Sequence, residues 1–374
     1  MILHQFSNGD TLEKTDTALI ATFTGKRSVL STAAHNGGYQ DHLKWVFNQD
    51  CKHDNDIPSG MYDKISSVQD YSGMKAATYA GHMAVIASDL GLDPEFSCGL
   101  STAADMDNAV IRTKTYADTT VTAVVTGGID VNGGRVGEPT HWHETKDGFV
   151  YAPGTINILL FIDADLSEGA LAQAMVTGAE AKTAAVQELM APSCYSTGIA
   201  TGSGTDGMIV VSDARSPVKL TSAGKHCKLG ELIGRTVIEA VREALFLQTG
   251  ICAAQQFNIF RRIGRFGVTA DSIWDLISAT SVMPEECSSR LDRIARDHKL
   301  VVQTILYVHL LDELQWGLLD AKQVHHTAQK ILLQMGINST ALPLEDENNE
   351  MIVSMLKAYS HGLSGMVTAD IQQA

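Results

Sequence analysis

The chain has 374 residues, a length that allows two or three domains of roughly 100–200 residues each. Apolar residues make up 44% and charged residues 19%, a mixture that excludes a disordered chain, a collagen-like chain and a coiled-coil rod. With 28 Lys and Arg against 43 Asp and Glu, the formal charge of −15 repels phosphate backbones and argues against nucleic acid as a partner.

The opening residues MILHQFSNGDTLEK lack a basic stretch followed by an apolar one, so no secretory signal is expected. No apolar run approaches the ~18 residues of a membrane span, so no membrane association is expected either. The cysteines at 51, 98, 194, 227, 252 and 287 form no CxxC pair and read as reduced thiols of a cytoplasmic protein.

Up to about residue 250, short β-branched runs alternate with Gly-rich turns and polar helical stretches. VTAVVTGGI (121–129), INILLFID (156–163) and GMIVVSD (207–213) predict buried or half-buried strands. Between the last two, residues 166–190 predict a helix with Ser167 as N-cap and Leu171, Met175, Val186 and Leu189 on its apolar face. Residues 229–248 predict a second helix, with Leu232, Val237, Val241 and Leu245 near helical spacing. Strand, helix and strand in that order give an α/β fold, a layered sheet-and-helix core. Beyond about residue 253 strand signals vanish, and helices are expected around 269–281, 284–319 with an internal break, 321–335 and 346–363. The expected organisation is therefore an α/β domain over 1–252 and an all-helical C-terminal extension over 253–374.

Four segments place small and polar residues where a purely structural chain would place apolar ones. LSTAAHNGG (30–38) carries Asn36 in what is either a tight turn or a ligand-contacting loop. TGGIDVNGGRVGEPTHWHE (126–144) runs from a strand into a Gly-rich loop containing Asn132. PGTINI (153–158) sets Thr155 and Asn157 at a strand entrance. YSTGIATGSGTDG (195–207) offers Thr201, Thr205 and Asp206, and a nest of backbone N–H groups for an oxyanion. It contains no GxxxxGK[ST] and is not a P-loop.

His141, His143 and Glu144 suit a metal site, a proton-transfer site or an exposed loop, and no HExxH completes a ligand set. A metal is therefore left open, with His35, His82 and His226 as partners that only folding would bring. His226 precedes the second helix and suits general acid or base chemistry near neutrality. Its neighbour Cys227 reads as a structural thiol. Glu180 and Lys182, two apart on one helix, face different directions: either both are solvated, or one meets the core edge or a cleft and needs a polar partner there.

The run GTINILLFIDADLSEGALAQAMVTGAEAKTAAVQEL, followed by ATGSGTDGMIVV and GKHCKLGELIGRTVIEAVREAL, closely resembles the adenosylcobinamide amidohydrolases, the CbiZ family. LSTAAHNGG, GLSTAADM (99–106) and VTGGIDVNGGRVGEP extend the resemblance to roughly residues 20–250. Asp130, Gly133 and Cys227 depart from the family's usual residues, and the last makes an essential thiol there unexpected.

The resemblance implies corrinoid salvage: hydrolysis of the amide joining the aminopropanol arm of adenosylcobinamide to the corrin ring, with the corrinoid as substrate and no cofactor required. The alternative is a non-catalytic corrinoid-binding protein. One route has water activated by Glu144 or Glu180, oxyanion donors from the ATGSGTD loop and His226 protonating the leaving amine. Another has a hydroxyl nucleophile, Thr155 or a residue in 201–205, activated by His226. A third uses a metal at His141 and His143. Asp206 either orients a base or a polar ligand group or caps its own turn, and the chain is expected to form a homo-oligomer.

Overall fold

The computed structural model describes residues 1–51, 75–139, 155–278, 284–338 and 342–368. It divides into two compact units, Met1–Ile251 and Cys252–Ala374.

The first unit is built from strands β1 (Ile2–Gln5), β2 (Thr11–Lys14), β3 (Ala18–Thr22), β4 (Arg27–Ser31), β5 (Gly38–Gln40) and β6 (Trp45–Asp50), then helix α1 (Tyr79–Asp89). There follow β7 (Ser97–Thr102), β8 (Val110–Tyr116), β9 (Thr119–Gly127), β10 (Ile156–Ile162), α2 (Glu168–Glu188), β11 (Gly207–Asp213) and α3 (Lys228–Thr249). One sheet runs β1-β2-β3-β6-β7 and the other β5-β4-β11-β10-β9-β8. Both are mixed: β6 and β7 are parallel, as are β10 and β11, while the other neighbours are antiparallel.

The side-chain period of two sorts these strands into layers. Ile156, Ile158, Leu160, Met208 and Val210 face the helices, where Leu171, Ala174, Val237 and Val241 meet them. Leu159, Phe161, Ile209 and Val211 face the other way, onto Leu12, Leu19, Val46 and Leu100 of the first sheet. On that sheet's far side Ala18, Ile20 and Phe47 pack against Met83, Ile86 and Ala87 of α1. The unit is thus four layers, helix, sheet, sheet and helices. Being covered on both faces is why β10 and β11 are continuous apolar runs without polar alternation.

Ser167 caps α2, its hydroxyl accepting from the Ala170 amide at 3.3 Å. The buried face of α2 consists largely of small residues, Ala170, Ala174, Gly178, Ala181 and Ala185 beside Leu171 and Val186, so the helix lies close on its sheet. A side chain at Gly178 would come within 2.9 Å of the Met208 thioether. Cys227 serves as N-cap of α3, accepting from Gly230 at 3.5 Å, the place usually held by a hydroxyl or carboxylate.

At one end of the sandwich the Arg27 guanidinium is wholly enclosed, binding both Asp10 oxygens and Asp213 Oδ1 at 2.7 Å each. Asp10 lies on the first hairpin and Asp213 ends β11, so the cluster clamps the two sheets together.

The described elements of the second unit are all helices, the α-helices being α4 (Ala253–Gln256), α5 (Ile259–Ile263), α6 (Ala270–Ser278), α7 (Pro284–Ala295), α8 (His298–Gln315), α9 (Ala321–Met335) and α10 (Asn348–Thr368). The break expected within 284–319 falls at Asp297, whose carboxylate caps α8 through the Leu300 amide at 2.9 Å. Its own core includes Tyr307, Leu311, Val324, Leu332, Met355 and Tyr359. No described helix is long and apolar enough to cross a membrane.

Candidate active site

The two sheets leave a cavity of about 220 Å³ at the end where β10 and β11 begin and β7 and β9 finish. Thr32, Ser101, Thr102, Thr155, Asn157, Thr205 and Asp206 line it, with Tyr79, Leu100 and Gly207 among the remaining walls. Four of the residues singled out in the sequence, Thr155, Asn157, Thr205 and Asp206, therefore converge. Their convergence follows from the parallel pairing of β10 with β11, which sets Asn157 opposite Gly207.

Thr155 is 2% exposed, and its hydroxyl contacts the Thr205 carbonyl at 2.6 Å and Asn157 Oδ1 at 3.3 Å. Both partners are acceptors. A hydroxyl has one proton and two lone pairs, so these contacts occupy the proton and leave the lone pairs of Thr155 available to an electrophile.

Asp206 organises the loop beneath. Its Oδ1 accepts from the Ile156 amide at 3.0 Å, the Ser203 amide at 3.0 Å and the Ser203 hydroxyl at 2.7 Å. Its Oδ2 pairs with the ammonium of Lys182 on α2, both side chains being 15% exposed. Lys182 is thus the member of the Glu180/Lys182 pair that turns inward to a polar partner. Gly202 lies under this pair: a Cβ there would fall 2.0 Å from Asp206 Oδ2 and 2.5 Å from Lys182 Nζ. The loop also spends amides on itself, Ser203 N–H on Asp206 and Thr205 N–H on the Ser203 hydroxyl at 3.3 Å. Those two donors are withdrawn from the oxyanion role expected of the ATGSGTD segment, whereas of the lining residues Ser101 gives its proton to Gln49 Oε1 at 3.3 Å and Thr102 accepts from the Ala104 amide at 3.0 Å.

The remaining candidates lie elsewhere. Asn36, at φ +48°, donates to the carbonyls of Pro94 (2.9 Å), Glu95 (3.3 Å) and Ser97 (2.9 Å), tying the β4–β5 turn to the start of β7. Thr201 accepts from the Val136 amide at 2.9 Å and joins two loops. Asn132 is buried in the turn beside Gly133 and does not line this cavity. Glu180 is exposed and pairs with Lys225 at 2.8 Å, a contact of the solvent-facing kind that adds little stability. His226 is exposed in the turn before α3, and neither it nor Glu180 lines the cavity. An activating role for His226 on Thr155 thus has no contact behind it.

Glu144, His141 and His143 fall outside the described residues. Among the described residues no group of three or more His, Cys, Asp or Glu side chains is arranged to hold a metal ion. His35 donates to the Pro94 carbonyl at 2.9 Å, and His82 accepts from the Lys75 amide at 3.1 Å. Burial pushes the thiol of Cys98, beside the cavity-lining Gly99, up to about 11, against the opposing effect of its hydrogen bond to Ser31, and so disfavours the thiolate that nucleophilic attack requires.

Several lining or supporting residues carry no motif in the sequence. Asn48, on β6, donates to Thr126 Oγ1 at 2.8 Å and accepts from Asn157 Nδ2 at 2.7 Å. The one signal available was the polar run Asn48-Gln49-Asp50 ending an apolar strand, all three residues being buried. Ser101 and Thr102 belong to the GLSTAADM segment, quoted above only for its resemblance.

Comparison with known proteins places this geometry in context. The model of the adenosylcobinamide amidohydrolase family matches residues 3–253, about two thirds of the chain. An uncharacterized protein of Methanocaldococcus jannaschii, MJ1613, is 34% identical over 252 residues, covering 64% of this chain and 89% of its own. Among solved structures, the PH0078 protein of Pyrococcus horikoshii gives a TM-score of 0.29 at 11% identity, over 66% of this chain and 82% of its own. A beta-aminopeptidase of Burkholderia sp. gives 0.31 at 12% identity, over 63% and 80%.

Proposed function

The chain belongs to the adenosylcobinamide amidohydrolase family, and from that premise we propose that it cleaves the amide between the aminopropanol arm and the corrin ring of adenosylcobinamide, releasing adenosylcobyric acid and aminopropanol, with Thr155 as nucleophile. The observation that carries the choice of Thr155, a lining residue of the cavity, is its hydroxyl, whose proton goes to the Thr205 carbonyl at 2.6 Å with Asn157 Oδ1 beside it at 3.3 Å and which accepts from no donor among the described residues.

The cavity's size suits the arm alone. About 220 Å³ accommodates a few heavy atoms around an amide, and the far larger macrocycle stays outside. In the first step Thr155 Oγ1 bonds to the amide carbon, the C–N bond breaks, and the hydroxyl proton ends on the departing amine. Water then hydrolyses the ester, yielding the acid and restoring the hydroxyl. Thr102, a lining residue whose hydroxyl accepts from the Ala104 amide at 3.0 Å, supplies a hydroxyl donor for the developing oxyanion.

The test is turnover of adenosylcobinamide by the purified chain, with both products identified by mass. A burst of aminopropanol before the acid appears is expected, and Thr155→Ala is expected to lower kcat by about 10³-fold or more. Corrinoid binding without cleavage by the unmodified protein would overturn the reading in favour of a binding protein. Full activity of Thr155→Ala would remove the hydroxyl from the mechanism.

A further inference from the structure

Thr155 stands at the end of a hydrogen-bond chain that begins on the opposite sheet. Asn157 Nδ2 donates one proton to Asn48 Oδ1 at 2.7 Å and the other to the Ser101 carbonyl at 2.9 Å. An amide flipped at this position would press its oxygen against two acceptors, so the network fixes the orientation with Asn157 Oδ1 toward Thr155. Asn48 is fixed in turn, because its own Nδ2 is committed to Thr126 Oγ1 at 2.8 Å. Asn48, Thr126 and Asn157 are each no more than 2% exposed, so water does not substitute for any of these bonds. Gly207 completes the enclosure, since a Cβ there would approach Asn157 Oδ1 to 2.8 Å.

We propose that Asn48 is a positioning residue for the amide hydrolysis, holding Asn157 so that its carbonyl oxygen, at 3.3 Å, shares the Thr155 proton with the Thr205 carbonyl, at 2.6 Å, and keeps the lone pairs of Thr155 turned to the substrate. The inference rests on Thr155 being the nucleophile, and it assigns a role in the reaction to a strand of the sheet that carries neither Thr155 nor Asn157. Asn48 touches neither Thr155 nor the cavity. Its influence passes through the amide of Asn157, which keeps only the Ser101 carbonyl as acceptor once the Asn48 side chain is gone.

The experiment compares Asn48→Ala, Asn48→Asp and Thr155→Ala in the full chain. Each is assayed for adenosylcobinamide turnover, thermal midpoint and the rate at which a β-lactone acylates Thr155, followed by intact mass. Asn48→Ala is expected to lower kcat and the acylation rate together by about 30- to 100-fold, with KM within about twofold, as for a displaced reacting group. Asn48→Asp retains an acceptor for Asn157 and is expected to recover kcat to within about fivefold of the unmodified enzyme. In a Thr155→Ala background Asn48→Ala is expected to change residual activity by less than about twofold.

An unchanged kcat in Asn48→Ala, or a loss that falls on KM or thermal midpoint alone while Thr155 acylates normally, overturns the inference and leaves the nucleophile standing. Full activity of Thr155→Ala overturns the nucleophile itself. Should Asn48→Ala fail to fold, Thr126→Val frees the far end of the same amide, and normal acylation of Thr155 in that variant counts against the inference.

Discussion

Removing the carboxylate of Asp206 is expected to weaken both the fold and the reaction, in amounts that follow from its contacts. Asp206→Ala deletes the partner of Lys182 and the acceptor of two amides and a hydroxyl. Breaking a buried pair by removing one member costs about 3–5 kcal/mol, because the remaining charge is stranded. With 15% of each side chain exposed, Lys182 recovers some hydration, so the lower end, about 3 kcal/mol, is the expectation. The hydrogen bonds are not added in full, since contacts of one group are not additive. Asp206→Asn strands Lys182 as well but keeps one oxygen for the Ile156 and Ser203 amides, so it is expected to cost about 1 kcal/mol less than Asp206→Ala. The reaction suffers separately: the Ile156 amide fixes the residue after Thr155, and a shift near 1 Å at a reacting group costs about 10²-fold in rate. The assay is urea denaturation followed by hydrogen exchange in β10 and β11, together with kcat for adenosylcobinamide. A stability within 1 kcal/mol of the unmodified chain, or an Asp206→Asn variant as damaged as Asp206→Ala, would refute this assignment of the contacts.

Two further predictions concern the scaffold. Arg27→Met strands the carboxylates of Asp10 and Asp213 and is expected to destabilise the first unit by about 3–5 kcal/mol, read by urea denaturation with hydrogen exchange in β4; a cost below about 1 kcal/mol would contradict the clamp. Because burial raises the Cys98 thiol from about 9 to about 11, the unfolded chain loses that proton first. Its contribution to stability is therefore whole below about 9 and fades as pH climbs toward about 11, so the advantage over Cys98→Ala narrows across that window. A constant difference between the two proteins from pH 8 to 11 would sink this reasoning.

Much of the scaffold was legible because its signals are local. The strands at 156–163 and 207–213 show as apolar runs bounded by Gly and Asp, and the helix between them carries its own cap in Ser167. Helical periodicity beyond residue 253 likewise marked the C-terminal helices, with the break at Asp297 set by a side chain capping its own backbone. The short strands of the first sheet left a weaker trace. β1 and β2 have four residues each and only Leu12 buried between them, so no alternation of useful length appears.

The candidate site divides along the same line. Thr155, Asn157, Thr205 and Asp206 were visible as polar residues interrupting strand entrances, a local anomaly that needs no fold to detect. That Lys182 rather than Glu180 turns inward was not visible, since helical spacing says only that the two diverge. Nor was the exposure of Glu180 and His226, which depends on which helix faces the strands leave uncovered. Asn48 left only the trace of a polar run closing an apolar strand, because an Asn inside a strand is unfavourable until a partner from the other sheet satisfies it. By itself the sequence determined the layered α/β class, the helical C-terminal part and the polar strand entrances, all written in neighbouring residues. Only the tertiary structure decided which of those polar groups meet, because the hydrogen bonds that assemble the site join residues 50 to 109 positions apart and exist only once the chain has folded.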